Sequence, residues 1–425
     1  MRKSTFVSNI LTVSRGKLFA LALPIITTPI ISRLFSPSDF GAFSFFLSIV
    51  TIISTASSLR FPVASVLPKE EIVADRLTLL SILAGSGVSL LVLIVLGVCY
   101  SFSPDWITEK LGYWVWAIPV WVFLYSIDDA LSMWLVRHGK FRPMALSDSV
   151  EPIATTGSRI GIGYLTGSSL SGLIIGFAFG RLLRLGVICK ASWTWIKKSK
   201  TLAAPKQLWE TVIEYKNYPL FNTPTSLVFA FSNNLPFILL GIIYAPEVLG
   251  YYAMANRLLR MPIQTVSETI RKVFLRKAAG IRNESGDLAP YIVKLGGGLA
   301  LAGALPFLFL YIYAEDLLTH FLGMNWGAAG NVASILAPWL FLVWVSTPCS
   351  VVVEVCNKQP QWMRQQILIL IARLVVFYCA VEFGKDYTWT LQWFVFVSSV
   401  GVIVNLIQMY FWAKSDNKSG STAQR

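Results

Sequence analysis

The chain has 425 residues, of which 55% are apolar, 13% aromatic and only 14% charged, and its mean hydropathy is +0.62. Soluble domains carry roughly 25% charged residues, so this composition excludes a soluble enzyme, a disulfide-stapled secreted module and a disordered scaffold. Lys and Arg number 36 against 22 Asp and Glu, a net charge of +14, and where those cations fall matters more than their sum.

Met1 to Lys17 is basic, and the apolar stretch after it is as long as a membrane span and lacks a small-residue cleavage site, so it reads as a retained first helix. A helix needs about 20 apolar residues to cross a bilayer core. Twelve such runs occur, at 11–32, 41–63, 77–102, 112–136, 145–166, 169–192, 218–243, 250–272, 290–313, 329–354, 365–383 and 388–412. Charges interrupt the fifth, eighth and eleventh. An even count puts both termini on one side.

With the termini inside, inner tails and loops collect 27 of the 36 basic residues, among them Arg137, Lys140, Lys197, Lys198, Arg271 and Lys272. Outer loops hold Arg33, Lys110 and Lys385, and six arginines fall within spans. Basic residues are retained on the cytoplasmic face, so the expectation is a multi-pass protein of a cytoplasmic membrane with both ends cytoplasmic. Anionic lipid headgroups suit such an inner face, and no nucleic acid is needed to explain the charge.

The long connection, Trp193 to Asn217, lies between spans six and seven. Trp209, Val212 and Ile213 share a helical face there while Lys206, Glu210 and Lys216 lie off it, which suits a helix in the plane of the interface. The expected organisation is a six-helix lobe over 1–192, an amphipathic linker over 193–217, a second six-helix lobe over 218–412 and a disordered tail over 413–425.

The halves carry a repeat. Ser36-Pro37-Ser38-Asp39-Phe40-Gly41-Ala42-Phe43 and Ala245-Pro246-Glu247-Val248-Leu249-Gly250-Tyr251-Tyr252 share a Pro-x-x-x-Gly frame followed by aromatics. In each, Pro starts a turn and Gly lets the next helix approach its neighbour closely. A looser pair follows the fourth and tenth spans, His138-Gly139-Lys140 and Cys356-Asn357-Lys358. Six spans per half give both copies one orientation, related by an axis along the membrane normal, as in transporters of parallel repeats.

Leu23-Pro24, the run from Ser32 to Gly41, Gly250-Tyr251-Tyr252 with Asn256-Arg257-Leu258, and a lysine in each inner turn resemble the Wzx-type O-antigen flippases of polysaccharide biosynthesis. These belong to the multidrug, oligosaccharidyl-lipid and polysaccharide (MOP) exporter superfamily. The resemblance implies an all-α polytopic membrane protein of about twelve transmembrane helices, two-lobed, with a MATE-like central cavity. It further implies alternating-access transport of an undecaprenyl-pyrophosphate-linked oligosaccharide for O-antigen, capsule or exopolysaccharide synthesis. A polysaccharide polymerase and a chain-length regulator are the partners such a role suggests.

Gripping a pyrophosphate within a bilayer calls for cations, and charged residues in spans face the bundle interior or water. Arg257 and Arg260, three apart, share a helical face, and arginine's planar fork suits phosphate oxygens. Arg159 lies deep in the fifth span, with Glu151 as the alternative ion-pair partner. Arg15, Lys17 and Arg60 enter or close spans, where snorkelling to headgroups competes with a cavity role. Arg181 and Arg184 read as snorkelling, and Arg373 is left open. Ion coupling needs a movable carboxylate, for which Asp128, Asp129, Asp148, Glu151 and Glu354 stand as candidates. Asp128 and Asp129 point about 100° apart on a helix and cannot form one paired site.

Gly157, Gly161, Gly163 and Gly167 are expected to permit close helix packing. No G-x-x-x-x-G-K-[ST] run occurs, which excludes P-loop ATP hydrolysis. Cys99, Cys189, Cys349, Cys356 and Cys379 form no C-x-x-C pair, and His138 and His320 have no companion at ligand spacing, so neither a metal nor a cofactor is expected. Competing readings are a multidrug exporter of the same superfamily, a membrane polymerase or lipid-linked glycosyltransferase, and a scaffold of polysaccharide assembly. No outer loop is large enough for a catalytic domain, and the intramembrane arginines suit an anionic substrate better than a cationic drug.

Overall fold

A computed structural model describes residues 23–422 except 105–107, 109, 168, 200, 201, 203 and 284–286. The described chain is helical, with no strand among the described residues, as backbone polar groups in lipid require: helices satisfy them within one segment. Two compact units form, Met1–Gly250 and Tyr251–Arg425.

In the first unit α1 spans Thr28–Leu34, α2 Pro37–Ser57, α3 Phe61–Ala64, α4 Glu71–Phe102, α5 Ala117–Arg137, α6 Phe141–Thr166 and α7 Leu170–Ala191. The short helices α8, Trp193–Ser199, and α9, Pro205–Glu214, lead to α10, Thr223–Ile243. A π-helical turn, Tyr218–Asn222, starts α10. Helix α11, Pro246–Asn283, begins in this unit and continues into the second. There α12 spans Ala289–Leu322, α13 Gly327–Cys349, α14 Val351–Val355, α15 Gln359–Glu382 and α16 Tyr387–Thr422.

Among the described residues nine helical segments are long and apolar enough to cross a membrane. Of the three other expected spans, α6 and α11 are helices whose charged residues pull their hydropathy down, and the first lies mostly outside the described residues. The chain is an all-α, multi-pass membrane protein. Helix α16 runs on to Thr422, past Lys414, where the composition suggests a disordered tail; the run Lys414-Ser415-Asp416-Asn417 contains no proline to stop it.

Because lipid tails are as apolar as leucine, bundles like this are held by packing and polar contacts rather than by a hydrophobic drive. Outward leucines are left to the lipid: Leu90, Leu91 and Ile94 on α4 are each more than half exposed. Inside the first unit Trp121 stacks on Phe177 at 4.7 Å, and Phe46 meets Trp121 edge-on at 6.2 Å. In the second, Phe394 contacts Trp339 at 5.7 Å and Phe377 at 6.1 Å.

The two Pro-x-x-x-Gly turns meet each other. Ser36 caps α2 by accepting from the Asp39 amide, Asp39 accepts in return from the Ser36 amide, both at 3.2 Å, and Pro37 opens the helix. A Cβ on Gly41 would lie 1.8 Å from the Pro246 carbonyl oxygen, and one on Gly250 would lie 1.9 Å from that of Pro37. Each glycine therefore seats the other motif's proline carbonyl, a reciprocal contact of the kind a two-fold relation produces.

The looser pair is also structural. Gly139 and Asn357 both take left-handed backbone, at φ +65° and +54°. The Lys140 backbone N–H donates to the Leu135 carbonyl and that of Lys358 to the Val353 carbonyl, each at 2.9 Å, the same helix-ending Schellman bond in both. Of the four glycines expected to permit close packing, Gly163 does so, since a Cβ there would stand 3.3 Å from the Leu34 side chain and 3.4 Å from the Phe35 ring. Cβ atoms on Gly157, Gly161 and Gly167 would meet open space, whereas Gly176 and Gly180 sit against the backbone of Arg159 and Glu151.

Candidate functional site

The intramembrane charges separate into clusters of different character. In the first unit Asp128 of α5 lies between Arg181 and Arg184, one turn apart on α7. Its carboxylate accepts from Arg184 Nε at 2.7 Å and from Arg181 Nη1 at 3.2 Å. Arg184 also donates to Asp148, and Glu151 lies 3.3 Å from Arg181 and 3.7 Å from Arg184. The Arg181 guanidinium stacks 4.0 Å from the Tyr125 ring. Both arginines are buried, so the snorkelling expected of them is corrected. Three carboxylates from α5 and α6 retain them, because a paired charge in the interior costs far less than an unpaired one.

Asp129 faces away from this cluster, as the 100° step requires, and accepts from Ser58 Oγ at 3.2 Å. Beside it Arg60 Nε donates to Ser226 Oγ on α10 at 2.8 Å. Leu59 and Arg60 carry φ of +50° and +58°, a left-handed pair between α2 and α3. Side chains rarely adopt that region, and such strain gathers at functional sites.

Arg159 is buried with its guanidinium 4.5 Å from the Phe43 ring, and its Nε donates to the Leu173 carbonyl at 3.2 Å. Glu151, the alternative partner, is taken up by Arg181 and Arg184. Arg15 and Lys17 lie outside the described residues.

The second unit groups its arginines around aromatic rings. On α11, Tyr252, Asn256 and Arg260 recur every four residues on one face, and Arg257 lies beside them. The Arg260 guanidinium stands 5.7 Å from the Trp339 ring of α13, and that of Arg373 on α15 stands 5.8 Å from the same ring. Arg373 is also 5.1 Å from Phe394, and its Nε donates to Ser398 Oγ at 2.9 Å, both on α16. Tyr252 is within electrostatic reach of both arginines. Trp339 is buried, while Arg257, Arg260 and Arg373 are half-buried. Two guanidiniums gathered on one indole place two planar forks side by side, a geometry suited to phosphate oxygens.

Glu354 stands apart on α14, accepting from Arg271 Nη1 at 2.8 Å, and Arg271 also pairs with Glu268 at 3.0 Å. Of the five candidate carboxylates, three thus share one buried cluster and two do not. The sequence reading did not select Tyr252, Trp339, Phe394 or Ser398. The four-residue spacing of Tyr252, Asn256 and Arg260 was the available signal for the first; the others lie within the apolar expected spans 329–354 and 388–412, where spacing along one helix marks no partner. Among the described residues no group of three or more His, Cys, Asp or Glu could hold a metal ion.

A family model described as polysaccharide biosynthesis protein matches residues 30–331. Comparison with curated protein sequences returns no match. Among solved structures, an inward-facing multidrug resistance MATE family transporter of the MOP superfamily superposes with a TM-score of 0.69 at 13% identity, over 96% of each chain. The lipid II flippase MurJ, in an inward closed conformation, gives 0.70 at 13% identity over 95% of this chain and 87% of that one. A MOP superfamily transporter from Pyrococcus furiosus, described by a reverse polarity of its binding pocket, gives 0.60 at 12% identity over 96% of each. At these identities the likeness is one of fold.

Proposed function

Because this chain belongs to the polysaccharide biosynthesis protein family, we propose that it is a flippase and not an enzyme. It moves an undecaprenyl-pyrophosphate-linked oligosaccharide across a bacterial inner membrane by alternating access, for O-antigen, capsule or exopolysaccharide assembly. The observation that carries this reading is the pair Arg260 and Arg373 on the Trp339 ring, with Arg257 and Tyr252 adjoining. Charge-assisted bonds from such arginines to a pyrophosphate are strong where water is scarce. A multidrug cation would be repelled there, and this sets the multidrug exporter reading behind the flippase.

Arg60, Arg159, Arg15 and Lys17 are the further cations proposed to meet the substrate. The cluster of Asp128, Asp148 and Glu151 is the proposed place of ion coupling, with Asp129 and Glu354 as the remaining candidates. Both termini lie in the cytoplasm, in keeping with the distribution of Lys and Arg. The polymerase and the chain-length regulator are partners of the same assembly.

Binding tests the reading. Purified protein in nanodiscs should bind a short polyprenyl pyrophosphate more tightly than the corresponding alcohol, and Arg257→Ala with Arg260→Ala should weaken that preference about tenfold or more. Equal binding of the two lipids by the wild-type protein would set the pyrophosphate reading aside.

A further inference from the structure

Helix α9 has three faces. At about 100° per residue, Leu208, Thr211, Val212 and Tyr215 fall in one sector. Thr211 is 4% exposed, and Leu208, Val212 and Tyr215 pack on the cluster of Phe61, Ala64, Leu77 and Leu80. Gln207 ties the helix to α4 by accepting from Arg76 Nη2. A second sector, about 130° around the axis, holds Trp209 and Ile213, 65% and 50% exposed. Glu210 and Glu214 occupy the third, about 100° further on, and are exposed.

The sequence pattern places Val212 with Trp209 and Ile213 on one apolar face. Instead Val212 turns to the protein and leaves the other two uncovered within the same unit. An exposed indole beside an exposed isoleucine, on a helix whose opposite flank is acidic and wet, is the arrangement of a helix lying in a membrane interface. Lys206 at one end and Lys216 just past the other flank the Trp209 and Ile213 stripe, and both are exposed. Between residues 190 and 217 the sequence has six lysines against two glutamates. Those two glutamates are the ones turned away from the stripe.

We propose that α9 is a binding site for anionic phospholipid: Trp209 and Ile213 insert into the headgroup layer of the adjoining leaflet, and Lys206 and Lys216 engage phosphate groups there. This is independent of the transported substrate. The occupant is the surrounding bilayer, because the uncovered stripe belongs to a membrane-spanning chain and its flanking charge is positive. Lipid held there fixes the chain between α8 and the π-helical start of α10, where Leu220 and Phe221 are also exposed.

Hydrogen–deuterium exchange of the whole protein in nanodiscs tests this. Amides of residues 206–214 should exchange more slowly with phosphatidylglycerol present than with phosphatidylcholine alone. Lys206→Gln and Lys216→Gln should each remove about fivefold of that protection. Trp209→Ser should raise exchange in both lipids, and all three positions are exposed enough for the fold to persist. Equal exchange in the two lipids, or a difference untouched by the lysine changes, overturns the anionic site. Exchange as fast in nanodiscs as in detergent overturns the interfacial placement. Protection by added polyprenyl pyrophosphate but not by phosphatidylglycerol assigns the lysines to the substrate and overturns the proposal as well.

Discussion

Arginines that look alike in sequence carry opposite consequences in this protein. Arg184 is buried between Asp128 and Asp148, so Arg184→Ala strands Asp148 and leaves Asp128 to Arg181 alone, and it should cost about 3 kcal/mol or more of stability, read as a fall in thermal unfolding temperature in detergent. Arg373 is half-buried and retains its aromatic neighbours when truncated. Arg373→Ala should leave the unfolding temperature within a few degrees while weakening polyprenyl pyrophosphate binding about tenfold, and Arg373→Lys should restore only part of it, since a point charge lacks the planar fork. A large loss of stability in Arg373→Ala would make that residue structural. The difference between the two was hidden from the sequence because Asp128 precedes Arg184 by 56 residues and Trp339 precedes Arg373 by 34. Spacing along one helix reveals i, i+4 partners, and partners on other helices emerge only from packing.

The elements were legible where a backbone requirement wrote itself into residue type. Pro and Gly in the two Pro-x-x-x-Gly motifs, and the left-handed Gly139 and Asn357 of the looser pair, hold matching places in the structure. Gly41→Ala or Gly250→Ala would drive a Cβ into backbone that has no flexible end to yield, at about 1–3 kcal/mol each. Reduced recovery of monodisperse protein from either variant checks this, and normal stability of both would deny the reciprocal contact. The start of α16 is set by Asp386, whose carboxylate accepts from the Thr388 hydroxyl and from the Trp389 amide at 3.3 Å. The Thr388 hydroxyl first, and the Trp389 amide after it, hold the Asp386 carboxyl below the usual aspartate range. Its contribution is therefore complete above the ordinary value of about 3.9 and is lost as pH falls through the lowered folded value. Asp386→Asn should flatten that part of the stability profile below pH ~4, and an unchanged profile would remove the cap from the account. On α6, charges that lower its hydropathy serve internal contacts, Asp148 and Glu151 with Arg184 and Arg181 and Arg159 with the Leu173 carbonyl.

At the scale of the molecule, composition and twelve apolar runs of span length, with the resemblance, were enough to foresee an all-α multi-pass chain, and the family match and the shared fold agree with that. What the sequence could not foretell was which charges neutralise one another, because that depends on helix rotation. In the first unit Asp128, Asp148 and Glu151 neutralise Arg181 and Arg184, whereas in the second Arg260 and Arg373 gather on the Trp339 ring. The direct measurement is translocation of a labelled undecaprenyl-pyrophosphate oligosaccharide in sealed proteoliposomes, comparing wild type with Arg260→Ala plus Arg373→Ala of equal thermal stability. The account predicts transport by the wild type and its collapse in the variant. Absence of wild-type transport under any imposed ion gradient would contradict the flippase, and full transport by the variant would contradict the arginine site.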